Sequence, residues 1–576
     1  MKQFIHFLSH HKKESILAPL FKMLEAVFDL LIPLIMADII NNGIARKDQS
    51  YIFARCLLMV LLGAVGLLCS ITAQYFAAKA AVESCASIRR DLFNKIQSLG
   101  FSEADREGTS TLITRMTSDV NQVQNGLNLF LRLFLRSPFI VLGAVILAFT
   151  VSAKGALIFV ITVPVLAAVI FAIMLKTIPQ FEKVQSLLDR LTGITRENLT
   201  GVRVVRAFGR ENDEIQHFRA ADENLMNSQL YAGKISSLMN PLTFAIINLA
   251  VAAILNSGSF EVNAGFLAMG DVVALVNYMN QILLELIKLA NLIIQITRAT
   301  ACTERINQIL AMNPQMKFGN EQVHPEASDL AVTFSHVGLA YSAGGAESLT
   351  DISFSVKKGQ TIGIIGGTGS GKTSLVSLIP RYYDATSGEI KIFGKDIREY
   401  NKDSLRHCVS TVMQKAQLFS GTIRSNLKWG NENAGDDVLW QALEIAQASE
   451  IVRKKEKGLD EPVEQGGRNY SGGQKQRLSI ARSLVAKPGI LILDDSTSAL
   501  DYATDAAFRK ALRTLPDDMT VFIVSQRANS LSKADQILVL DDGKLAGIGK
   551  HEDLLLTCSI YRDIYESQFK KAEEAS

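Results

Sequence analysis

The stretch Gly366-Gly-Thr-Gly-Ser-Gly-Lys-Thr373 fits the pattern G-x-x-x-x-G-K-[ST], and the apolar run Thr361-Ile-Gly-Ile-Ile365 precedes it. Glycines at this spacing let the backbone turn its N–H groups inward. A helix beginning near Lys372 would direct the positive end of its dipole into the same hollow. The stretch therefore predicts a phosphate-binding loop between a buried strand and a helix, and a plain glycine-rich turn is the alternative.

A loop of this kind suits a nucleotide polyphosphate, and we expect ATP with Mg²⁺. Lys372 is expected to reach the β- and γ-phosphates, while Thr373 offers its hydroxyl to Mg²⁺. The residues expected to hold the nucleotide at the loop are Gly366, Gly367, Thr368, Gly369, Ser370, Gly371, Lys372, Thr373 and Ser374.

A second motif lies downstream, in Gly489-Ile-Leu-Ile-Leu-Asp-Asp495. Four apolar residues that end in two carboxylates are typical of a buried strand with acidic groups at its carboxyl end. Asp494 is placed to hold Mg²⁺ through water, and Asp495 is placed to act as general base for an attacking water. The pair predicts an ATPase.

Composition indicates a membrane part joined to a soluble part. Hydrophobic residues make up 48% of the 576 residues and mean hydropathy is +0.18, although charged residues still reach 20%. A net charge of +3 with no long single-sign run argues against nucleic acid as a partner. The six cysteines lack C-x-x-C spacing, so we predict neither a disulfide nor a cysteine-held metal.

Six segments reach the length of about 20 residues that crosses a bilayer. They are residues 15–40, 54–79, 128–150, 155–178, 238–258 and 270–297. The first, third and sixth hold charged residues that should face the interior of a bundle or a water-filled cavity. Periodic apolar residues continue the helices into two long connections, at 80–127 and 179–237, which turn near Gly108 and near Gly209–Asp213.

Positive charge is concentrated in those two long connections, whereas the connections at 41–53, 151–154 and 259–269 carry little. By the positive-inside rule the N-terminus, both long connections and everything after residue 297 are cytoplasmic, in a multi-pass plasma-membrane protein. Residues 1–13 mix apolar residues with His and Lys and are expected to form an interfacial helix.

Glu25 and Asp29 lie four residues apart on one face of the first membrane segment. Two ionised carboxylates there are costly in lipid. Either they face a cavity and hold a cationic cargo, or they are structural and pair with Arg132, Arg136 or a cation of another chain.

The fold class that follows is an α-helical transmembrane bundle of six long helices, followed by an α/β P-loop ATPase domain. We place the transmembrane domain at 1–310, a polar linker at 311–330 and the nucleotide-binding domain at 331–576. At the start of the nucleotide-binding domain, the runs at 332–334 and 338–341 predict two strands, and the run at 349–356 predicts a third.

Between the two nucleotide motifs lies Tyr470-Ser-Gly-Gly-Gln-Lys-Gln-Arg477. With this signature in that order, the sequence resembles the ATP-binding cassette (ABC) family, and its layout resembles a half-size type IV ABC exporter of the multidrug-resistance-like kind. The resemblance implies that ATP lies between two such domains. The signature residues Ser471, Gly472, Gly473 and Gln474 would then act on the ATP of the partner chain.

The same resemblance assigns three further roles. It implies that Tyr341 stacks on adenine, that Gln414 senses Mg²⁺ and the membrane domain, and that Asp501 belongs to a loop crossing the dimer interface. Each of these residues alone also fits an ordinary structural position.

The sequence departs from the family at the hydrolytic positions. Asp495 stands where an active domain has Glu, and Gln526 stands where the switch His would be. A base retracted by about 1 Å can lose roughly a hundredfold in rate, and Gln cannot exchange a proton as His does. Together the two changes indicate that this chain is the degenerate-site member of a heterodimeric exporter. The alternative is that Asp495 still acts as the base and Gln526 still donates a hydrogen bond to the γ-phosphate. Gln465 replaces a Glu found in many exporters, with no assigned consequence.

The sequence therefore predicts an ATP-driven export subunit that moves hydrophobic or amphipathic, drug-like compounds out across the plasma membrane. Expected partners are a second half-subunit, membrane lipids and a hydrophobic small-molecule cargo. A lipid or peptide exporter half-subunit and a homodimeric exporter are the alternatives within transport. A soluble-type ATPase that regulates a partner is disfavoured by the six membrane-length segments.

Overall fold

The computed structural model describes residues 11–341, 345–498, 500–516 and 518–573. The interfacial helix predicted at residues 1–13 falls mostly outside these ranges. The chain forms two compact units: residues up to 97 together with 109–312, and residues 98–108 together with 313–576. The tip of the first long connection is thus part of the second unit.

The described part of the first unit consists of helices joined by short turns. Its helices are long because apolar residues continue for many turns, either on one face of the helix or around its whole circumference, as in membrane helices. The helices before residue 312 are α1 (Lys12–Asp38), α2 (Gln49–Ser98), α3 (Phe101–Glu107, in the second unit), α4 (Thr109–Thr114), α5 (Val120–Leu133), α6 (Arg136–Val151), α7 (Ala153–Thr200), α8 (Val202–Ala207), α9 (Glu211–Ser237), α10 (Met239–Asn263) and α11 (Met269–Ala311).

Each of the six predicted membrane segments falls in one of these long helical stretches. Within the part of the chain that the structure describes, four stretches are long and apolar enough to cross a membrane: Gln49–Ser98, Thr109–Val151, Ala153–Thr200 and Glu211–Asn263. α1 and α11 carry more charge. The third segment is interrupted at Phe134 and Leu135, where a turn separates α5 from α6. Both predicted turns are present, with φ of 77° at Gly108 and 63° at Gly209.

The second unit is α/β. Its strands are β1 (Leu330–Leu339), β2 (Leu349–Lys357), β3 (Thr361–Gly366), β4 (Ser387–Ile392), β5 (Lys395–Asp396), β6 (Val409–Val412), β7 (Gly421–Thr422), β8 (Pro462–Val463), β9 (Ile490–Asp494), β10 (Thr520–Val524), β11 (Gln536–Asp541) and β12 (Lys544–Gly549). An antiparallel sheet has the order β2-β1-β4-β5, and a six-stranded sheet has the order β12-β11-β3-β10-β9-β6.

The helices of this unit begin with α12 after the phosphate-binding loop. They are α12 (Lys372–Leu378), α13 (Lys402–Cys408), α14 (Ile423–Leu427), α15 (Asp436–Ile445), α16 (Ser449–Arg453), α17 (Gly472–Val485), α18 (Tyr502–Leu512), α19 (Ala528–Leu531), α20 (His551–Thr557) and α21 (Ser559–Glu573). Together with the helical unit, this arrangement confirms the predicted fold class.

One local prediction was wrong. The runs at 332–334 and 338–341 were expected to be two strands, but β1 is continuous from Leu330 to Leu339. A register shift between Phe334 and Val337 and a φ of 51° at His336 mark a bulge in β1. The bulge breaks the alternation of apolar residues, which is why the pattern indicated two separate segments.

Strand order decides where the functional loops meet. β3, β10 and β9 are adjacent and parallel, with β10 in the middle. The carboxyl ends of parallel strands lie at one edge of a sheet. The phosphate-binding loop after β3, the carboxylates at the end of β9 and the loop after β10 therefore share that edge.

Candidate nucleotide-binding site

The phosphate-binding loop is built as its glycines predict. α12 begins at Lys372, and its N-cap residue Gly371 has a φ of 91°, which side chains with a Cβ rarely adopt. A Cβ added at Gly366 would lie 2.2 Å from the carbonyl oxygen of Leu540 on β11. The loop can follow this path only with glycine at these positions.

Lys372 is buried within the loop it belongs to. Its Nζ donates to the carbonyl oxygens of Gly366 at 3.0 Å and Gly367 at 2.6 Å, and to Ser370 Oγ at 3.3 Å. Burial lowers the pKa of Lys372, although Asp495 and Asp494 oppose the shift. The ammonium group is therefore already oriented toward the hollow that the loop encloses.

Thr373 and Asp494, both predicted to serve Mg²⁺, are brought together. Thr373 Oγ1 donates to Asp494 Oδ1 at 3.1 Å. Asp494 is 5% exposed, and burial raises its pKa. A hydroxyl beside a carboxylate suits Mg²⁺ that is completed by phosphate and water oxygens. No group of three or more His, Cys, Asp or Glu able to hold a metal occurs among the described residues.

Asp495 follows β9 in a constrained backbone position. Its φ is 46°, and its N–H donates to the carbonyl oxygen of Val524 on β10 at 3.1 Å. Gln414 Nε2 donates to Asp495 Oδ2 at 3.2 Å, so two residues predicted to serve one site do meet. Gln526, two residues beyond β10, has an exposed side chain at the same sheet edge.

Tyr341 lies next to the start of α12. Its hydroxyl donates to Ser374 Oγ at 2.9 Å, and its ring packs edge-on against Tyr383, 5.0 Å away between centroids. Tyr383 in turn donates to Asp105 Oδ2 at 2.6 Å, and both burial and Asp105 raise the pKa of Tyr383. The sequence did not indicate Tyr383 or Asp105, which are 278 residues apart.

The signature motif begins a helix with its N-terminus exposed. Ser471 caps α17: its Oγ accepts from Gln474 N at 3.3 Å, while Ser471 N donates to Gln474 Oε1 at 3.0 Å. A Cβ at Gly472 would meet nothing within 4 Å. The open end of this helix, with Gly473 in its first turn, can approach an anion of another molecule.

Asp501 and Gln465 occupy surface positions. Asp501 caps α18, accepting from Thr504 N and from Thr504 Oγ1, both at 2.9 Å, and these bonds lower its pKa. Gln465 is exposed in a short turn before the signature. A role for Asp501 across a dimer interface stays a prediction.

A cavity of about 340 Å³ opens beside the phosphate-binding loop. Besides loop residues it is lined by Glu347, Ser348, Asp542 and Gly543, which sequence analysis did not select. Asp542-Gly543 is the turn between β11 and β12, and an Asp-Gly turn signal was available there. Its position beside the loop depends on the pairing of β11 with β3.

In the helical unit, Glu25 and Asp29 belong to a group of six charged residues that we call the Arg136 cluster: Lys22, Glu25, Asp29, Arg136, Glu285 and Lys288. Arg136 Nη1 lies 2.7 Å from Glu285 Oε1, and Arg136 Nη2 lies 2.8 Å from Asp29 Oδ2 and 3.7 Å from Glu25 Oε1. Lys22 pairs with Glu25, and Lys288 pairs with Glu285. Three cations thus balance three carboxylates.

Comparison with known proteins gives a consistent result. A family model described as the ABC transporter transmembrane region matches residues 15–286, and one described as ABC transporter matches residues 349–498. YfiB of Bacillus subtilis, an uncharacterized ABC transporter ATP-binding protein, is 36% identical over 99% of both chains.

Two further similarities concern function and fold. An ATP-dependent lipid A-core flippase of Pectobacterium atrosepticum is 30% identical over 98% of this chain and 96% of its own length. The solved structure of a bacterial Atm1-family ABC exporter with ATP bound matches with a TM-score of 0.82 at 22% identity, covering 96% of this chain and 99% of that one.

Proposed function

The chain belongs to the ABC transporter family, and we propose that it is the degenerate-site subunit of a heterodimeric, ATP-driven exporter. Its own ATP site would bind MgATP and hydrolyse it slowly. The partner half-subunit would carry the competent site, and this chain's Ser471, Gly472, Gly473 and Gln474 would complete that site.

The observation that carries the proposal is the position of Asp495. Its backbone is held by the hydrogen bond from its N–H to Val524. A carboxylate one methylene shorter than Glu therefore cannot advance toward the γ-phosphate by shifting the chain. One oxygen is also engaged by Gln414 Nε2. A retracted and partly engaged base slows hydrolysis strongly while leaving nucleotide binding intact.

Gln526 supports the same interpretation. At the position where the family has a switch His, an amide can donate a hydrogen bond to a γ-phosphate but cannot exchange a proton. Lys372, Thr373 and Asp494, by contrast, retain the arrangement that binding requires. The site therefore combines intact binding groups with altered hydrolytic groups.

A contact within the second unit suits coupling of ATP to transport. α3, at the tip of the first long connection, reaches Tyr383 through Asp105, and Tyr383 packs on Tyr341 beside α12. The Phe101 ring also packs on Tyr382 at 4.5 Å. If α12 moves when ATP binds, these side chains would transmit the movement to α3. The N-terminus and the ATPase domain would be cytoplasmic, with the helices in the plasma membrane.

The cargo class we favour is hydrophobic or amphipathic and drug-like. The Arg136 cluster carries no net charge, so it does not favour a cationic cargo over a neutral one. Lipid export is the second candidate, because a relative 30% identical to this chain is an ATP-dependent lipid A-core flippase.

The proposed difference between the two ATP sites is tested with the native complex. The complex is purified by a tag on this chain, and its chains are identified by native mass spectrometry. Lys372→Ala should remove nucleotide from this chain's site and leave partial ATPase turnover, whereas Ser471→Ala should nearly abolish turnover. Asp495→Glu combined with Gln526→His should raise turnover several-fold. A complex of identical chains, or equal losses from Lys372→Ala and Ser471→Ala, would refute the heterodimer.

A further inference from the structure

We propose that Gln568, on the C-terminal helix α21, is a positioning residue for Gln526 in this chain's ATP site. Gln568 Nε2 donates to the carbonyl oxygen of Gln526 at 2.7 Å, and Gln568 Oε1 accepts from the N–H of Ala528 at 3.0 Å. The amide of Gln568 thus donates to one residue and accepts from another within the short loop that follows β10.

α21 is itself held firmly enough to act as a support. Tyr561, seven residues before Gln568, is fully buried, and its hydroxyl lies 2.7 Å from His551 Nδ1. Ile564 and Tyr565 pack against the same apolar core. Positions 561, 564, 565 and 568 follow helical spacing, so Gln568 lies on the face of α21 that packs inward.

The rest of the loop is anchored to the sheet. Ser525 N donates to the carbonyl oxygen of Ile364 on β3 at 3.1 Å, and Arg527 N donates to Ser525 Oγ at 3.0 Å. The carbonyl oxygen of Gln526 and the N–H of Ala528 are not used in these bonds, and both form their hydrogen bonds with the Gln568 side chain. The backbone is then fixed on each side of Gln526, while the Gln526 side chain is exposed.

This support matters because of where the loop lies. β10 runs between β3 and β9, so Gln526 is located between the phosphate-binding loop and Asp494. A side chain there can contact the terminal phosphate of ATP, which ADP lacks. Losing the two bonds of Gln568 would release the loop and weaken that contact without altering the groups that hold the other phosphates. The inference depends on the nucleotide site and not on the heterodimer.

The test uses the full-length chain in detergent. MgATP and MgADP displace a fluorescent ATP analogue from Gln568→Ala, Gln568→Glu and a control, Ser567→Ala. Ser567 is a suitable control because its Oγ donates to the carbonyl oxygen of Ile564 in the same helix. Gln568→Ala should raise the Kd for MgATP about fivefold and change the Kd for MgADP less than twofold. Gln568→Glu retains the acceptor for Ala528 N but places a carboxylate oxygen against the carbonyl oxygen of Gln526. Because these two oxygens repel each other, the rise in Kd for MgATP should be at least as large as for Gln568→Ala.

A double-mutant cycle with Gln526→Ala separates positioning from simple docking of α21. If Gln568 acts through Gln526, adding Gln568→Ala to Gln526→Ala should leave the Kd for MgATP unchanged. Additive losses, equal losses for MgATP and MgADP, or a Gln568→Ala variant that matches Ser567→Ala would overturn the proposal. If Gln568→Ala does not fold, Gln568→Met keeps the length of the side chain and removes both hydrogen bonds. Its Kd values for MgATP and MgADP are then compared with those of Ser567→Ala.

Discussion

Replacing Arg136 by Gln should destabilise the helical unit strongly. The Arg136 side chain is 10% exposed and contacts carboxylates on two other helices, Asp29 of α1 and Glu285 of α11. Ser137 Oγ also donates to Glu285 Oε2 at 2.8 Å, which fixes that carboxylate further. Arg136 begins α6 beside the turn at 134–135, so it joins three helices at a point where the third segment is interrupted.

The magnitude follows from the charges that remain. Removing Arg136 leaves three carboxylates facing two lysines, and the Glu285 side chain is only 5% exposed. Removing one partner of a buried ion pair lowers the free energy of unfolding by about 3–5 kcal/mol, because the other charge stays buried without its partner. For a unit of this size we expect the melting temperature to fall by on the order of 10 °C. Arg136→Gln with Glu285→Gln restores charge balance and should recover most of that loss.

The assay heats the full-length protein in detergent and measures what remains folded by size-exclusion chromatography. The matched control is Arg132→Gln, one turn earlier on α5, because Arg132 Nε has no hydrogen-bond partner among the described residues. Arg132→Gln should change the melting temperature by no more than about 2 °C. If Arg136→Gln melts like the control while transport of cationic dyes alone is lost, the cluster serves cargo and the structural reasoning is refuted.

Three further predictions concern the ATPase unit. Burial raises the pKa of Asp494, so Mg²⁺ affinity measured in the presence of ATP should begin to fall at a higher pH than it would with an ordinary aspartate. Asp494→Asn should remove this part of the pH dependence and leave the part that comes from the phosphates of ATP. Tyr383→Phe removes the bond to Asp105 and should reduce cargo-stimulated ATPase several-fold with unchanged ATP affinity; a change in affinity instead would contradict the coupling role. Asp495→Asn should lower turnover of the native complex less than twofold, and a complex left inactive by this change would show that Asp495 is the working base.

Features that depend on neighbouring residues were predictable from the sequence alone. The phosphate-binding loop requires glycines, a lysine and a hydroxyl within eight positions, and α12 does begin at Lys372. The acidic strand ends at Asp494, and Ser471 caps α17 as its short-range pattern requires. Long apolar runs likewise determined which segments form membrane-length helices. Each of these depends on backbone geometry over one or two turns.

Contacts between distant residues needed the tertiary structure. Arg136 was one of several possible partners that the sequence offered for Glu25 and Asp29. The charged residues of the sixth segment were expected to face the bundle interior, but the pairing of Glu285 with Arg136, 149 residues away, was not predicted. The pairs Tyr383–Asp105 and Gln568–Gln526 had no sequence signal at all. Such contacts depend on which faces of separate helices and loops pack together, and on their rotation to within a fraction of a turn. Apolar periodicity identifies the buried face of one element but does not specify the polar group that it meets on another.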